Sequence, residues 1–480
     1  SVEGSGTMPR PRRSGRANRE EQHVKDLTKG PIPQHVLQMA VPMAIGMLIQ
    51  TLYFLIDLYF VARLGEAAIA GVSLGGTVMY IVLGLTQMLG VGTVALISHA
   101  VGRKDKDDAN LVFNQSLVLS ALCFVLTLLG GYGLGGAYLR SIGADAETTA
   151  AGITYLYCYI PGLALQFALI AMGSALRGTG IVKPTMIVQA LTLLLNIMLA
   201  PILIAGWGTG HALGVAGAGL ASSISIALGV IMMAVYFARM EKYVAFHSGQ
   251  WRPRLHTWKR MLAIGFPAGA EFALMFIFMA VIYSAIADFG APAQAGFGIG
   301  GRVMQAIFLP AMAIAFSTPA IAGQNFGARL PGRVRETFAT AAVMSSVVML
   351  LLTLLCQWQS EWLVSRFTAE PEVIAIGARF LQLISLNFVA QGLIFTCSGM
   401  FQALGNTWPA LLSTSIRLLT FAAPVLWLSR QADFRIEHVW YLSVATVALQ
   451  AIISLLLLRG QMRKRLPGLS GPAQPIDEKS

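Results

Sequence analysis

The stretch QTLYFLIDLYFVARLG, Gln50 to Gly65, is apolar almost throughout, yet it holds a carboxylate, Asp57. Together with the preceding residues it forms an apolar run over 35–62 with no other carboxylate. Such a run spans a hydrocarbon core of about 30 Å as a helix. A carboxylate placed there is costly and needs a physical reason. Runs of this kind recur at 68–100, 111–139, 150–176, 183–206, 213–239, 259–287, 293–324, 336–358, 373–402, 409–430 and 437–459. The pattern predicts an all-α membrane protein of twelve transmembrane helices. Alternation over about ten residues, the mark of a membrane barrel, is missing from these runs.

Composition agrees. Of 480 residues, 56% are hydrophobic and 12% charged, against about 25% charged in a soluble domain. The net charge of +12 would suit nucleic acid if it formed a patch, but its distribution follows membrane topology. Placing the amino terminus in the cytoplasm puts most of the basic residues in cytoplasmic segments. Only Arg63, Arg140, Arg366, Arg379, Arg430 and Arg435 fall on the other side, with Arg302 and Arg417 inside spans. This is the positive-inside bias. It predicts cytoplasmic termini, an inner (plasma) membrane protein, contact with membrane lipid and no nucleic-acid partner. Cys123, Cys158, Cys356 and Cys397 lie singly in apolar segments, so neither a disulfide framework nor a zinc site is expected.

A shift of 225 residues aligns the two halves. Pro42 meets Pro267, Gly65 meets Gly290, Gly102 meets Gly327, Gln166 meets Gln391 and Pro184 meets Pro409. The repeat unit is six helices, an even number, so both halves run in the same sense and form a parallel repeat. The expected organisation is a tail at 1–34, with residues 1–7 a cloning remnant, then a six-helix lobe at 35–239. A cytoplasmic linker at 240–258, a second lobe at 259–460 and a tail at 461–480 follow. The tail before the first span reads as polar and disordered. Two parallel lobes suit a transporter that rocks about a central cleft.

The sequence resembles the multidrug and toxic compound extrusion (MATE) family of secondary transporters. QTLYFLIDLYFVARLG carries the likeness, as do the paired span ends ALISHAVGRKD and AIAGQNFGARLPGR. So do GSALRGTGIVKP after span four and GMFQALGNTWP after span ten. The resemblance covers about residues 31–460. It implies a V-shaped pair of pseudosymmetric lobes and an antiporter that exports organic cations and lipophilic drugs by alternating access. It also implies coupling to H⁺ or Na⁺, with no further cofactor. Asp57 matches the acid of the family's first helix, Asn196 a polar residue of the fifth, and Glu271 an acid of the seventh. Ala200 and Gln391 stand where branches of the family carry a further Asp.

The expected coupling-ion residues are therefore Asp57, Asn196 and Glu271. Glu271, Gln166, Gln391, Met275 and Phe278 are the expected substrate contacts, and no catalytic or metal-ligating set is expected. With one acid per lobe and the partner carboxylates replaced, H⁺ is favoured over Na⁺. Each residue also has a plainer reading. Asp57 could be a hydrogen-bonded structural acid, Glu271 the partner of an arginine, the glutamines links between helices, and Met275 and Phe278 packing. Arg302 and Arg417 would pair with acids, or Arg417 would reach the interface. His99 carries little signal by itself. A flippase of lipid-linked saccharides is the nearest alternative function. An enzyme is disfavoured because neither HExxH nor an acid pair of suitable spacing occurs, and without a Walker A motif ATP drive within the chain is not expected. A monomer is expected.

Overall fold

The computed structural model describes residues 24–143 and 145–466. The remnant expected at 1–7 and most of both expected tails lie outside the described residues. The described residues contain no strand, and twelve of their helices are long and apolar enough to cross a membrane. In the first half these are α1 (Ile32–Ala62), α2 (Glu66–Gly102), α3 (Lys106–Ile142), α4 (Ala146–Gly178), α5 (Lys183–Ala205) and α6 (Val215–Arg239). In the second they are α7 (Leu255–Ile286), α8 (Ala291–Gly327), α9 (Pro331–Ser365), α10 (Pro371–Ala403), α11 (Trp408–Leu428) and α12 (Ile436–Arg465).

The repeat fixes how the helices begin and turn. Gly65 and Gly290 are equivalents, and both have positive φ, 112° and 86°. Glycine lacks the Cβ that would strain this conformation, so the chain reverses sharply into α2 and α8. Pro184 and Pro409 open α5 and α11, where a missing N–H costs nothing. The halves differ inside α4 and α10. Pro161 lies in α4, where the Ser223 hydroxyl of α6 donates to Cys158 O at 2.7 Å and accepts from Gly162 N at 3.1 Å. At the equivalent place α10 is interrupted by a 3₁₀ turn, Ser385–Asn387. Thr353 of α9 donates to Ser385 O at 2.9 Å, and Gln357 donates to Ser385 Oγ at 2.7 Å.

In the first lobe α4 packs against α2, α3 and α6, and in the second α10 packs against α8, α9 and α12. α1 and α7 serve both lobes: α1 touches α5 of its own lobe and α8 of the other, while α7 touches α11 and α2. The result is a V of two six-helix lobes.

Among the described residues, every hydrogen bond between the lobes lies at one end, where the linker crosses. Arg260 of α7 pairs with Asp108 of α3 at 3.2 Å, and Gln324 Nε2 donates to Gly178 O at 3.1 Å. His99 Nε2 bonds to Ala403 O at 2.6 Å. The linker itself is clamped by α3: Asn110 donates to Tyr243 O at 2.9 Å and Gln115 to Arg252 O at 2.8 Å. The chain before α1 departs from the disordered tail expected there. Leu27 is fully buried, its N–H donating to Gln324 Oε1 at 3.0 Å and its carbonyl accepting from Asn325 and Arg333. Lys25 N donates to Thr179 O at 3.1 Å, so this short strap touches both lobes. The strap is thus held in the seam by the buried Leu27 side chain together with these backbone hydrogen bonds.

Candidate functional site

Two polar sites lie within the lobes at different depths. The first surrounds Asp57, five residues from the end of α1 that is remote from the linker, about 8 Å along a helix. Tyr53 precedes Asp57 by one helical turn and so shares its face. The Asn196 amide of α5 donates to the Tyr53 hydroxyl at 3.0 Å. Tyr155 and Tyr159 of α4 lie near enough to interact with the Asp57 charge. Asp57 is 7% exposed and Asn196 fully buried. Asp57 Oδ1 and Asn196 Oδ1 are both buried acceptors without a hydrogen-bond partner. Neither oxygen can satisfy the other, because both accept and neither donates. A buried acceptor left this way costs about 1–3 kcal/mol, more when charged. The site is therefore short of a proton or a cation.

The second site runs from Glu271, midway along α7, into α11 and α12. The Thr414 hydroxyl donates to Glu271 Oε1 at 3.0 Å. Thr414 Oγ1 accepts from Gln450 Nε2 at 3.0 Å, and Gln450 Oε1 accepts from Arg417 Nη1 at 3.4 Å. The Arg417 guanidinium lies 4.3 Å from the centroid of the Phe278 ring, a cation–π contact. Phe278 in turn meets Phe421 at 4.6 Å between centroids.

The repeat relates the two sites. Asn196 and Phe421 are equivalent positions, as are Tyr53 and Phe278. The first lobe thus has a tyrosine–asparagine hydrogen bond where the second has two packed phenylalanines. Conversely, Gly46 is the equivalent of Glu271 and Gln189 that of Thr414. Gln189 Oε1 fills the space beside Gly46, within 2.4 Å of where a Cβ would stand. One lobe is polar deep toward its open end and the other at mid-helix.

The structure thus joins Asp57 to Asn196 through Tyr53, and Glu271 to Phe278 through Thr414, Gln450 and Arg417. It does not join Asp57 to Glu271. Gln166 and Gln391 are half-buried and make no hydrogen bond among the described residues. Met275 is 57% exposed on α7. Arg417 does not pair with an acid or reach an interface: it ends on Gln450 and Phe278 inside the lobe. Arg302 is exposed beside Phe367 and Leu363 in a groove between α8 and α9, again without an acid. Sequence reading missed Tyr53, Thr414 and Gln450. Tyr53 was visible as the residue one turn from Asp57. Thr414 and Gln450 had no signal until the fold brought α7, α11 and α12 together.

The MatE family model matches residues 42–202 and 267–428, one match in each lobe. The chain is 25% identical to the multidrug export protein MepA of Staphylococcus aureus (strain MSSA476) over 441 residues, 90% of this chain and 96% of the relative. It is equally identical, over 446 residues and the same shares, to MepA of Staphylococcus saprophyticus. A multidrug resistance MATE family transporter of the MOP superfamily, solved in its outward-facing conformation, superposes with a TM-score of 0.85 at 25% identity. The match covers 93% of this chain and 98% of that one. A MATE solved in a straight conformation gives 0.84 at 25% identity over 92% and 98%. With both halves matched and the two-lobed helical fold shared along nearly its whole length, the chain belongs to the MatE family and is a MATE transporter.

Proposed function

We propose that the protein is an H⁺-coupled antiporter that exports organic cations and lipophilic drugs by alternating access between its lobes. The observation that carries this reading is the pair of orphaned acceptor oxygens, Asp57 Oδ1 and Asn196 Oδ1, buried beside Tyr53. A proton on Asp57 cancels the charge and turns an acceptor into a donor with one O–H bond. Sodium would need several oxygens at once, and Ala200 and Gln391 supply no carboxylate. Glu271, held by Thr414, is the charge we assign to meeting a cationic substrate, with Phe278, Met275, Gln166 and Gln391 as further contacts. The names of the relatives support multidrug export. The positive-inside bias supports a protein of the inner (plasma) membrane with cytoplasmic termini; we take it to work as a monomer. In that orientation the linker end is sealed inside and the V opens outward.

The test is transport of a fluorescent organic cation into vesicles containing purified protein. With the membrane potential clamped, a pH gradient alone drives uphill movement and a sodium gradient at equal pH does not. The opposite result overturns H⁺ coupling. Failure of both gradients to drive an organic cation overturns the antiporter reading.

A further inference from the structure

α9 and α12 both pack on the second segment of α10, and at the linker end they leave a wedge between them. The cavity is about 500 Å³. Phe338 of α9 and Leu455, Leu458 and Met462 of α12 line its wall. These four side chains belong to a cluster that includes the buried Cys397, Met400 and Phe401 of α10. Three arginines line it too: Arg335 in the first turns of α9, and Arg459 and Arg463 one turn apart near the end of α12. All three are exposed, and none has a hydrogen bond or an ion pair among the described residues. Glu336 follows Arg335 in sequence but is not part of the lining. Like charges one turn apart repel, and a third is brought to them across the wedge. Such a group is stabilised by an anion.

We propose that this wedge binds one anionic phospholipid of the linker-side leaflet. The arginines stand at the helix ends, the level of the headgroups, where basic pockets between spans take lipid phosphates. Guanidinium groups hold phosphate oxygens in bidentate pairs. The apolar wall runs from the arginines toward the mid-membrane, so an acyl chain fits where a free phosphate would leave apolar surface bare. The wedge touches neither the Asp57 nor the Glu271 site, so the inference stands apart from the coupling reading.

Native mass spectrometry of the detergent-purified full chain tests it, by titrating phosphatidylglycerol against phosphatidylcholine with the same acyl chains. The expected result is at least about tenfold preference for the anionic lipid, lost in the Arg335→Gln/Arg459→Gln/Arg463→Gln variant. A control, Lys242→Gln/Arg252→Gln/Arg254→Gln, removes the same charge from the linker and keeps the preference. If the triple variant does not fold, Arg459→Gln alone weakens the anionic lipid about fivefold. Equal binding of the two lipids, retained preference in the wedge variant or equal loss in the control overturns the proposal. So does displacement of the lipid by millimolar inorganic phosphate, which would make the wedge a free-phosphate site.

Discussion

Gly102 and Gly327, equivalents in the two repeats, each receive the opposite lobe's helix end. A Cβ on Gly102 would stand 2.0 Å from Gln324 O, and one on Gly327 would stand 2.2 Å from His99 O. His99 and Gln324 are themselves equivalents, so the seam has the pseudosymmetry of the chain. The obstructing atoms are backbone, so a Cβ cannot be accommodated by a side-chain rotation. Gly102→Ala should push the lobes apart at the linker end, at a cost of about 1–3 kcal/mol to the sealed state. Spin labels at Lys106 and Gly332, both exposed, should report a longer distance. An unchanged distance distribution with unchanged transport would show that the seam yields elsewhere.

The strap makes a second contribution to the same seal. Leu27→Ala removes buried contacts worth about 2–5 kcal/mol between α8, α9 and the turn after α4. The Leu27 amide, bonded to Gln324 Oε1 at 3.0 Å, should then exchange hydrogen much faster, together with residues 25–30. Exchange as slow as in the unaltered protein would mean that the backbone bonds to Asn325 and Arg333 suffice without the side chain.

Asp57→Asn should abolish uphill export while the protein remains folded, because the amide fits the space but cannot cycle a proton. Concentrative transport by the mutant would remove Asp57 from coupling. Tyr53→Phe should be milder. It deletes the acceptor of Asn196 Nδ2 and leaves a buried donor unsatisfied, a cost of about 1–3 kcal/mol. Export should slow by about tenfold without being lost. Equal loss in both variants would indicate that the tyrosine itself carries the proton.

Much of this was legible in the sequence. Apolar length alone separates the twelve spans, and the repeat relates Gly65 to Gly290 and Pro184 to Pro409. What escaped reading was polar chemistry shared among distant segments. Thr414 and Gln450 look like ordinary span residues until α11 and α12 bring them to Glu271. The break at Ser385–Asn387 was hidden because α10 lacks the proline that marks the same place in α4. Leu27 was hidden because Val24 and Leu27, isolated among charged and polar residues, are too few to leave a periodic trace.

The carboxylate of Glu271 and its hydrogen-bond chain can be separated by two conservative changes. Glu271→Gln removes the charge and keeps the shape. If that charge meets the substrate, binding of a monovalent organic cation should weaken by about tenfold or more, since hydrogen bonds and contacts to a charged group contribute about 1.5–3 kcal/mol. Binding of a neutral dye of similar size should not change. Thr414→Val keeps the charge and deletes the hydroxyl that donates to Glu271 and accepts from Gln450. Glu271 then loses its anchor to α11, and Gln450 loses its link to α7, but the cation still finds a carboxylate. Affinity should fall by less than in Glu271→Gln, within about fivefold, because the deleted bond positions the carboxylate while the charge that meets the cation is kept. Both are measured by fluorescence anisotropy on detergent-solubilised protein, which separates binding from transport. If Thr414→Val weakens the cation as much as Glu271→Gln, the positioning by α11 matters as much as the charge. If Glu271→Gln leaves cation affinity intact, the substrate's charge is met elsewhere.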